Sequence, residues 1–159
     1  RTVHDNMGII KSGKVVVLLQ GRYAGRKAVV VKAHDDGSAD RKFPHAIVAG
    51  LDRYPRKITK GMSKDRVRKR SNMKPFIKHV NYTHLMPTRY QCDFEIKKIV
   101  DEACKEKDGL KATGEVRKEV KKAFTSHYFG QANVKKEKPN AKKERQASGL
   151  KYFFTKLRF

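Results

Sequence analysis

Gly13-Lys-Val-Val-Val-Leu-Leu-Gln-Gly-Arg-Tyr-Ala-Gly-Arg-Lys-Ala-Val-Val-Val-Lys-Ala-His-Asp-Asp-Gly37 reads as two β-strands joined by a basic glycine turn. Val15–Leu19 and Ala28–Ala33 are short apolar runs rich in β-branched residues, the pattern of buried strands. Between them, Gly21 and Gly25 tolerate backbone angles that side-chained residues avoid. Arg22, Tyr23, Arg26 and Lys27 lie on that turn. A stiff hairpin that presents cations and one aromatic ring suits a phosphate backbone with an exposed base. A solvated hairpin is the plainer reading of the same residues.

Charge along the whole chain favours the first reading. Among 159 residues, 39 are Lys or Arg and 16 are Asp or Glu, a formal net charge of +23, with a pI near 10.2. Hydrophobic residues make up 38%, below the roughly 45–50% of an average globular domain. So much self-repulsion opposes a compact state and implies a polyanionic partner. Nucleic acid is the first candidate, an anionic membrane surface the second. No apolar run approaches the roughly 18–20 residues of a membrane span, and no signal-peptide pattern opens the chain. Cys92 and Cys104 are too few for a disulfide scaffold or a four-thiolate zinc site. They read as small buried side chains in a reducing, intracellular compartment.

The segments follow from composition. Residues 1–12 are a lead-in, and 13–90 form a β domain. Asp35-Asp36-Gly37 marks a turn. His45–Ala49 is a third strand ended by Gly50, Phe76–Val80 a fourth bounded by Pro75, and Thr83–Met86 a fifth stopped by Pro87. Closely spaced short strands suggest a small barrel or sandwich. Residues 53–70 interrupt them with nine cations and one acid, Asp65. Such an insertion is not expected to fold around its own core, although Ser63 is placed to cap a short helical turn. Its cations repel one another unless something pairs with them. Phosphate contact and a nuclear import signal in Arg66–Arg70 are both compatible with it.

Residues 91–129 read as a helical extension. The first helix covers 93–108, with Asp93 as N-cap and Ile96, Ile99, Val100 and Ala103 on one face. The second covers 114–129, with Val116, Val120, Ala123, Phe124 and His127 in a stripe and Gly130 as its stop. Residues 130–159 are a basic linker and an aromatic tail. The stretch 131–149 lacks an apolar face and reads as a linker or a frayed helix. Tyr152, Phe153, Phe154 and Phe159 are too aromatic to float in water. They are expected to anchor the tail as a core strand, or to enter a crevice of RNA or protein.

Catalytic signatures are missing. A phosphate-binding loop needs four residues between its glycines and then Lys-Ser/Thr. Gly21 and Gly25 have three between them, and the correctly spaced Gly109 and Gly114 are followed by Glu115. His4, His34, His45, His79, His84 and His127 show no metal-ligand spacing with either cysteine. No carboxylate pair stands out. The expectation is no enzyme activity, no catalytic residue, no metal, no cofactor and no small-molecule substrate.

The 13–37 stretch resembles a KOW motif, the hairpin of SH3-like barrels in ribosomal proteins and transcription elongation factors. With Asn81-Tyr-Thr-His-Leu-Met-Pro-Thr-Arg-Tyr90 and Phe153-Phe-Thr-Lys-Leu-Arg-Phe159, the chain resembles the eukaryotic-type large-subunit ribosomal protein twenty-seven family, over about 10–129 and 151–159. Residues 130–150 lengthen a link that is shorter in that family, Tyr152 stands where the family carries Trp, and the first ten residues depart from its usual start. The resemblance implies a mostly β fold with an α extension: a small SH3-like (KOW) β-barrel, two C-terminal helices and an extended basic, aromatic tail. It implies a structural role in the cytosolic large subunit, with large-subunit ribosomal RNA and neighbouring ribosomal proteins as partners, no membrane, and transient nuclear or nucleolar passage during assembly.

The expected RNA contacts are Lys14, Arg22, Tyr23, Arg26 and Lys27 in the hairpin region. In the insertion they are Arg53, Arg56, Lys57, Lys60, Arg66, Arg68, Lys69 and Arg70. Arg89 follows the Leu-Met-Pro-Thr segment, and Lys151, Lys156 and Arg158 belong to the tail. The alternatives are a KOW-type elongation factor, which would carry further motifs, and an SH3-like protein-interaction module, which would need an aromatic cage.

Overall fold

The computed structural model describes residues 8–105, 114–133 and 141–157. Its five strands are β1 (Lys14–Leu18), β2 (Lys27–His34), β3 (His45–Arg53), β4 (Lys74–Asn81) and β5 (Leu85–Gln91). They form one antiparallel sheet in the order β4-β3-β2-β1-β5. A helix α1 (Lys64–Arg70) interrupts β3 and β4, and a 3-10 turn (Tyr82–His84) joins β4 to β5. Three helices follow: α2 (Lys97–Lys105), α3 (Gly114–Asn133) and α4 (Ala141–Phe154).

The chain is therefore mixed α/β rather than mostly β. β4 and β5 are not neighbours in the strand order, so the sheet keeps two edges. It is nevertheless strongly curled. Five flat strands would set their outer members about 19 Å apart, yet only the three residues of the 3-10 turn connect these two. Ladder irregularities at Lys14/Val16, Val30/Lys32 and Leu51/Arg53 supply local bending and twist.

Strand limits differ from the sequence reading for physical reasons. Gly50 does not end β3 but lies inside it. A Cβ there would sit 2.6 Å from both the Lys27 carbonyl oxygen and the Phe76 ring, so glycine serves close packing. Pro75 and Pro87 lie within β4 and β5. Both strands are sheet edges, where a missing N–H costs no ladder bond.

Side chains alternate across the sheet and fill two cores. Val16, Leu18, Ala28, Val30, Ala46, Val48, Phe76, Val80 and Leu85 pack on one face. Val15, Val29, Ile47, Ala49, Leu51 and Ile77 face the other way, into a core shared with the helices. Phe94, Ile96, Val100, Val120, Phe124, Phe153 and Phe154 complete it. Phe124 and Phe153 are fully buried, with ring centroids 5.3 Å apart, and Phe94 stands 4.9 Å from Phe124 and 5.0 Å from Phe153.

The helices also correct the sequence reading. Asp93 does not cap α2: its carboxylate accepts from the Glu95 amide at 3.1 Å, in a turn with Glu95 at φ 54°, and the helix starts at Lys97. Gly130 does not stop α3, which continues to Asn133. The tail enters the core as helix rather than strand, because Tyr152, Phe153 and Phe154 close α4. That helix crosses β5 so closely that a Cβ at Gly149 would collide with the Gln91 carbonyl oxygen. Cys92 is buried, and burial pushes its thiol up to about 12. The side chains of Ala103 and Cys104 lie outside the described residues.

Candidate nucleic-acid interface

The hairpin turn is built by its glycines. Gly21 and Gly25 have φ of 87° and 72°, a region costly for other residues. The Gly25 amide donates to the Leu18 carbonyl at 2.7 Å and the Ala24 amide to Gly21 at 3.0 Å. Tyr23 lies flat on Phe76, centroids 4.0 Å apart and planes 5° from parallel. It is half-buried rather than presented freely, and the exposed Arg22 guanidinium stands 5.8 Å from its ring centroid. Arg26 reaches Asp52 at 3.9 Å, and Lys74 reaches the same carboxylate at 3.2 Å.

Lys27 leaves this surface altogether. Its side chain is 1% exposed, and its ammonium donates to the carbonyl oxygens of Tyr152 at 2.6 Å and Thr155 at 2.5 Å. The ammonium also lies 3.7 Å from the Tyr152 ring centroid. The negative end of the α4 dipole and two carbonyls thus hold a cation the sequence assigned to RNA. Desolvation still pushes its pKa down to about 8. Tyr152 stacks on Tyr90 at 4.2 Å, and the exposed Arg89 covers Tyr90 at 5.1 Å. Lys27, Tyr152, Tyr90 and Arg89 form one ladder from the core to the surface.

The insertion behaves differently. α1 buries no residue. Ser63 stands at its N-cap without a side-chain capping bond, while the Ser71 hydroxyl donates back to the Val67 carbonyl at 2.9 Å. Two bonds fold the segment on itself: Arg56 amide to Arg70 carbonyl at 2.9 Å, and Arg70 Nε to Lys57 carbonyl at 2.9 Å. Arg53, Arg56, Lys57, Lys60, Arg66, Arg68 and Lys69 are exposed, and Arg70 is half-buried. Among the described residues, none of these cations lies within 4 Å of a carboxylate; the ion pairs belong to Arg26, Lys32 and Lys74.

Lys14 is half-buried at the start of β1, and Lys151 and Lys156 are exposed near the tail. Arg158 and Phe159 lie outside the described residues. The fold adds a feature that spacing did not reveal: α1 and α3 face each other across an open groove lined by Arg68, Lys69, Asn72, Lys121 and Phe129. Phe129 is 44% exposed. It departs from the Val120–Phe124 stripe, a signal that was legible in principle.

Three histidines also converge. His34 stacks on His45 at 4.8 Å, and His79 stands 5.6 Å from His45. His45 Nδ1 contacts the Phe43 carbonyl at 2.9 Å, whereas both ring nitrogens of His79 are buried without a partner in the described structure. Desolvation, with the nearby Arg41, His45 and His34, holds His79 down to about 4. Among the described residues no group of three or more His, Cys, Asp or Glu is placed to hold a metal ion, and no helix is long and apolar enough to cross a membrane.

Comparison with known proteins places the chain in a family. Residues 15–159 match the model of the Ribosomal L27e protein family. The chain is 48% identical over 154 residues to the large ribosomal subunit protein eL27 of Caenorhabditis elegans, covering 95% of this chain and 98% of that protein. It is 47% identical over 154 residues to the protein of the same name from Tetrahymena thermophila, covering 94% and 97%. For the Candida albicans protein the identity is 46% over 152 residues, with 94% and 97% covered.

Proposed function

The chain belongs to the Ribosomal L27e protein family, and from that premise we propose how its surface serves the ribosome. It is a structural constituent of the large ribosomal subunit and not an enzyme. It associates with ribosomal RNA and other ribosomal proteins. Family membership disfavours the elongation-factor and peptide-reader alternatives.

The mechanism we propose is phosphate neutralisation from a rigid platform. One observation carries it: the exposed cations of the 53–70 insertion stand on a segment with no buried helix residue and no carboxylate partner among the described residues. Among the described residues, no ion pair balances that charge. Converging phosphates would neutralise it, with release of counterions. Arg22, Arg53, Arg56, Lys57, Lys60, Arg66, Arg68, Lys69, Arg89, Lys151 and Lys156 are the proposed contacts. Arg26, Arg70, Lys14 and Tyr23 act at its half-buried margin. Lys27 positions the tail instead.

The finer fold assignment is an SH3-like barrel with a KOW hairpin, open between β4 and β5 and supported by the short 3-10 connection. Its division at residue 90 into barrel and helical extension is part of the same reading, as is passage through the nucleolus during assembly. The test is sedimentation of the tagged protein after a high-salt wash. Co-migration with the large subunit, lost on nuclease treatment, supports an RNA-held position. A nuclease-insensitive position at the top of the gradient refutes it.

A further inference from the structure

We propose that the groove between α1 and α3 is a cleft for single-stranded ribosomal RNA, gripping phosphates from both walls and stacking an unpaired base on Phe129. The inference rests on the large-subunit reading and deepens it. The groove is open and holds about 870 Å³. Lys64, Arg68 and Lys69 line it from α1 and Lys121 from α3, against one carboxylate, Asp65. None of these four cations has an ion-pair partner among the described residues. Opposed cationic walls suit a backbone that lies between them.

Phe129 selects among polyanions. It is 44% exposed, although Phe124 on the same helix is fully buried. Tyr128 beside it packs on Phe154 at 5.2 Å and carries this side of the helix into the core; Phe129 meets the Tyr128 ring edge-on at 5.4 Å and still remains exposed. An aromatic ring at the rim of a cationic groove gives every base a stacking surface. A duplex keeps its bases stacked inside and gains nothing from such a ring. An acidic peptide would satisfy the cations but brings no base.

The experiment measures binding of the full chain to large-subunit ribosomal RNA across a salt series, for wild type, Phe129→Ala and Arg68→Ala/Lys121→Ala. Phe129→Ala is expected to weaken binding about tenfold with an unchanged salt slope. The double variant is expected to reduce the slope by about 1.4 log units, for two single-strand phosphate contacts. Phe129→Leu keeps an apolar side chain without a π face and must reproduce the loss, which removes folding as an explanation. Wild-type binding with both variants unchanged overturns the cleft and leaves the large-subunit reading standing. No salt-dependent binding by the wild type overturns the RNA mechanism and the cleft together. Equal losses by Phe129→Ala toward polyglutamate and toward RNA would assign the groove to acidic peptides and overturn the proposal.

Discussion

Two cation-bearing regions of this molecule have opposite fates. Where α4 meets the sheet, Lys27 is buried, its ammonium held by the Tyr152 and Thr155 carbonyls and the Tyr152 ring. In the 53–70 insertion, α1 buries nothing and, among the described residues, its basic side chains have no carboxylate within 4 Å. The difference lies in the neighbours. A strand residue inside a curled sheet is enclosed by whatever covers that face, whereas a short helix in an insertion has no second layer to cover it. Charge alone therefore does not mark the binding surface. Burial divides the cations that hold the fold together from those left for a partner.

The largest expected effect tests the buried side. Phe124→Ala removes a fully buried ring from the cluster with Phe94 and Phe153 and should cost about 3–5 kcal/mol in denaturant unfolding. A loss below about 1 kcal/mol would mean that the helices do not close the sheet. Lys27→Met should cost about 2 kcal/mol, because the carbonyls of Tyr152 and Thr155 lose a charged donor. Its pH signature is specific. The folded pKa of Lys27 is lowered from 10.5 to about 8, so between those values the unfolded chain binds more protons and stability rises with pH. Thermal melts of wild type should show that rise, and Lys27→Met should lack it.

Gly50→Ala should cost about 1–2 kcal/mol, since the backbone oxygen of Lys27 cannot yield to the new methyl group. An unchanged melting temperature would mean that the β2–β3 approach is looser than described. His79 gives a smaller, acid-side effect. Its folded pKa lies near 4 against 6.5 ordinarily, so stability is full above 6.5 and is lost as pH falls toward 4. His79→Phe should flatten that fall in pH-dependent melts. The smallest effect on stability, within about 0.5 kcal/mol, belongs to replacing the exposed Arg66, Arg68 and Lys69 together by Ala. The same variant should reduce the salt slope of RNA binding by roughly 0.7–0.9 log unit for each lost phosphate contact, the lower value applying to a single strand. A large stability loss with an unchanged slope would reverse the contrast between the two regions.

Much of the fold was legible because its signals are local. The β-branched runs of β1 and β2, the Gly21–Gly25 turn and the Val120–Phe124 stripe each occupy a few adjacent positions. The misread boundaries depended on distant partners. Gly50 reads as a stop until Phe76 and the Lys27 carbonyl fill the space its Cβ would take. Pro75 and Pro87 read as breaks until the strand order places both on edges. The candidate surface divides similarly, for Arg22 and the insertion announce themselves by charge, but the α1–α3 groove joins residues some fifty positions apart.

By itself, the order of residues determined that this is a basic chain with a glycine-turn hairpin, an unshielded cationic insertion and an aromatic end, of a recognisable ribosomal family. Charge, β-branching and glycine act over a few residues, so they can be read in one dimension. Only the tertiary structure decided that the aromatic end is a helix lying over the sheet, that Lys27 anchors it, and that α1 and α3 share a groove. Those outcomes depend on which surfaces exclude water together, and burial is a property of the assembled chain.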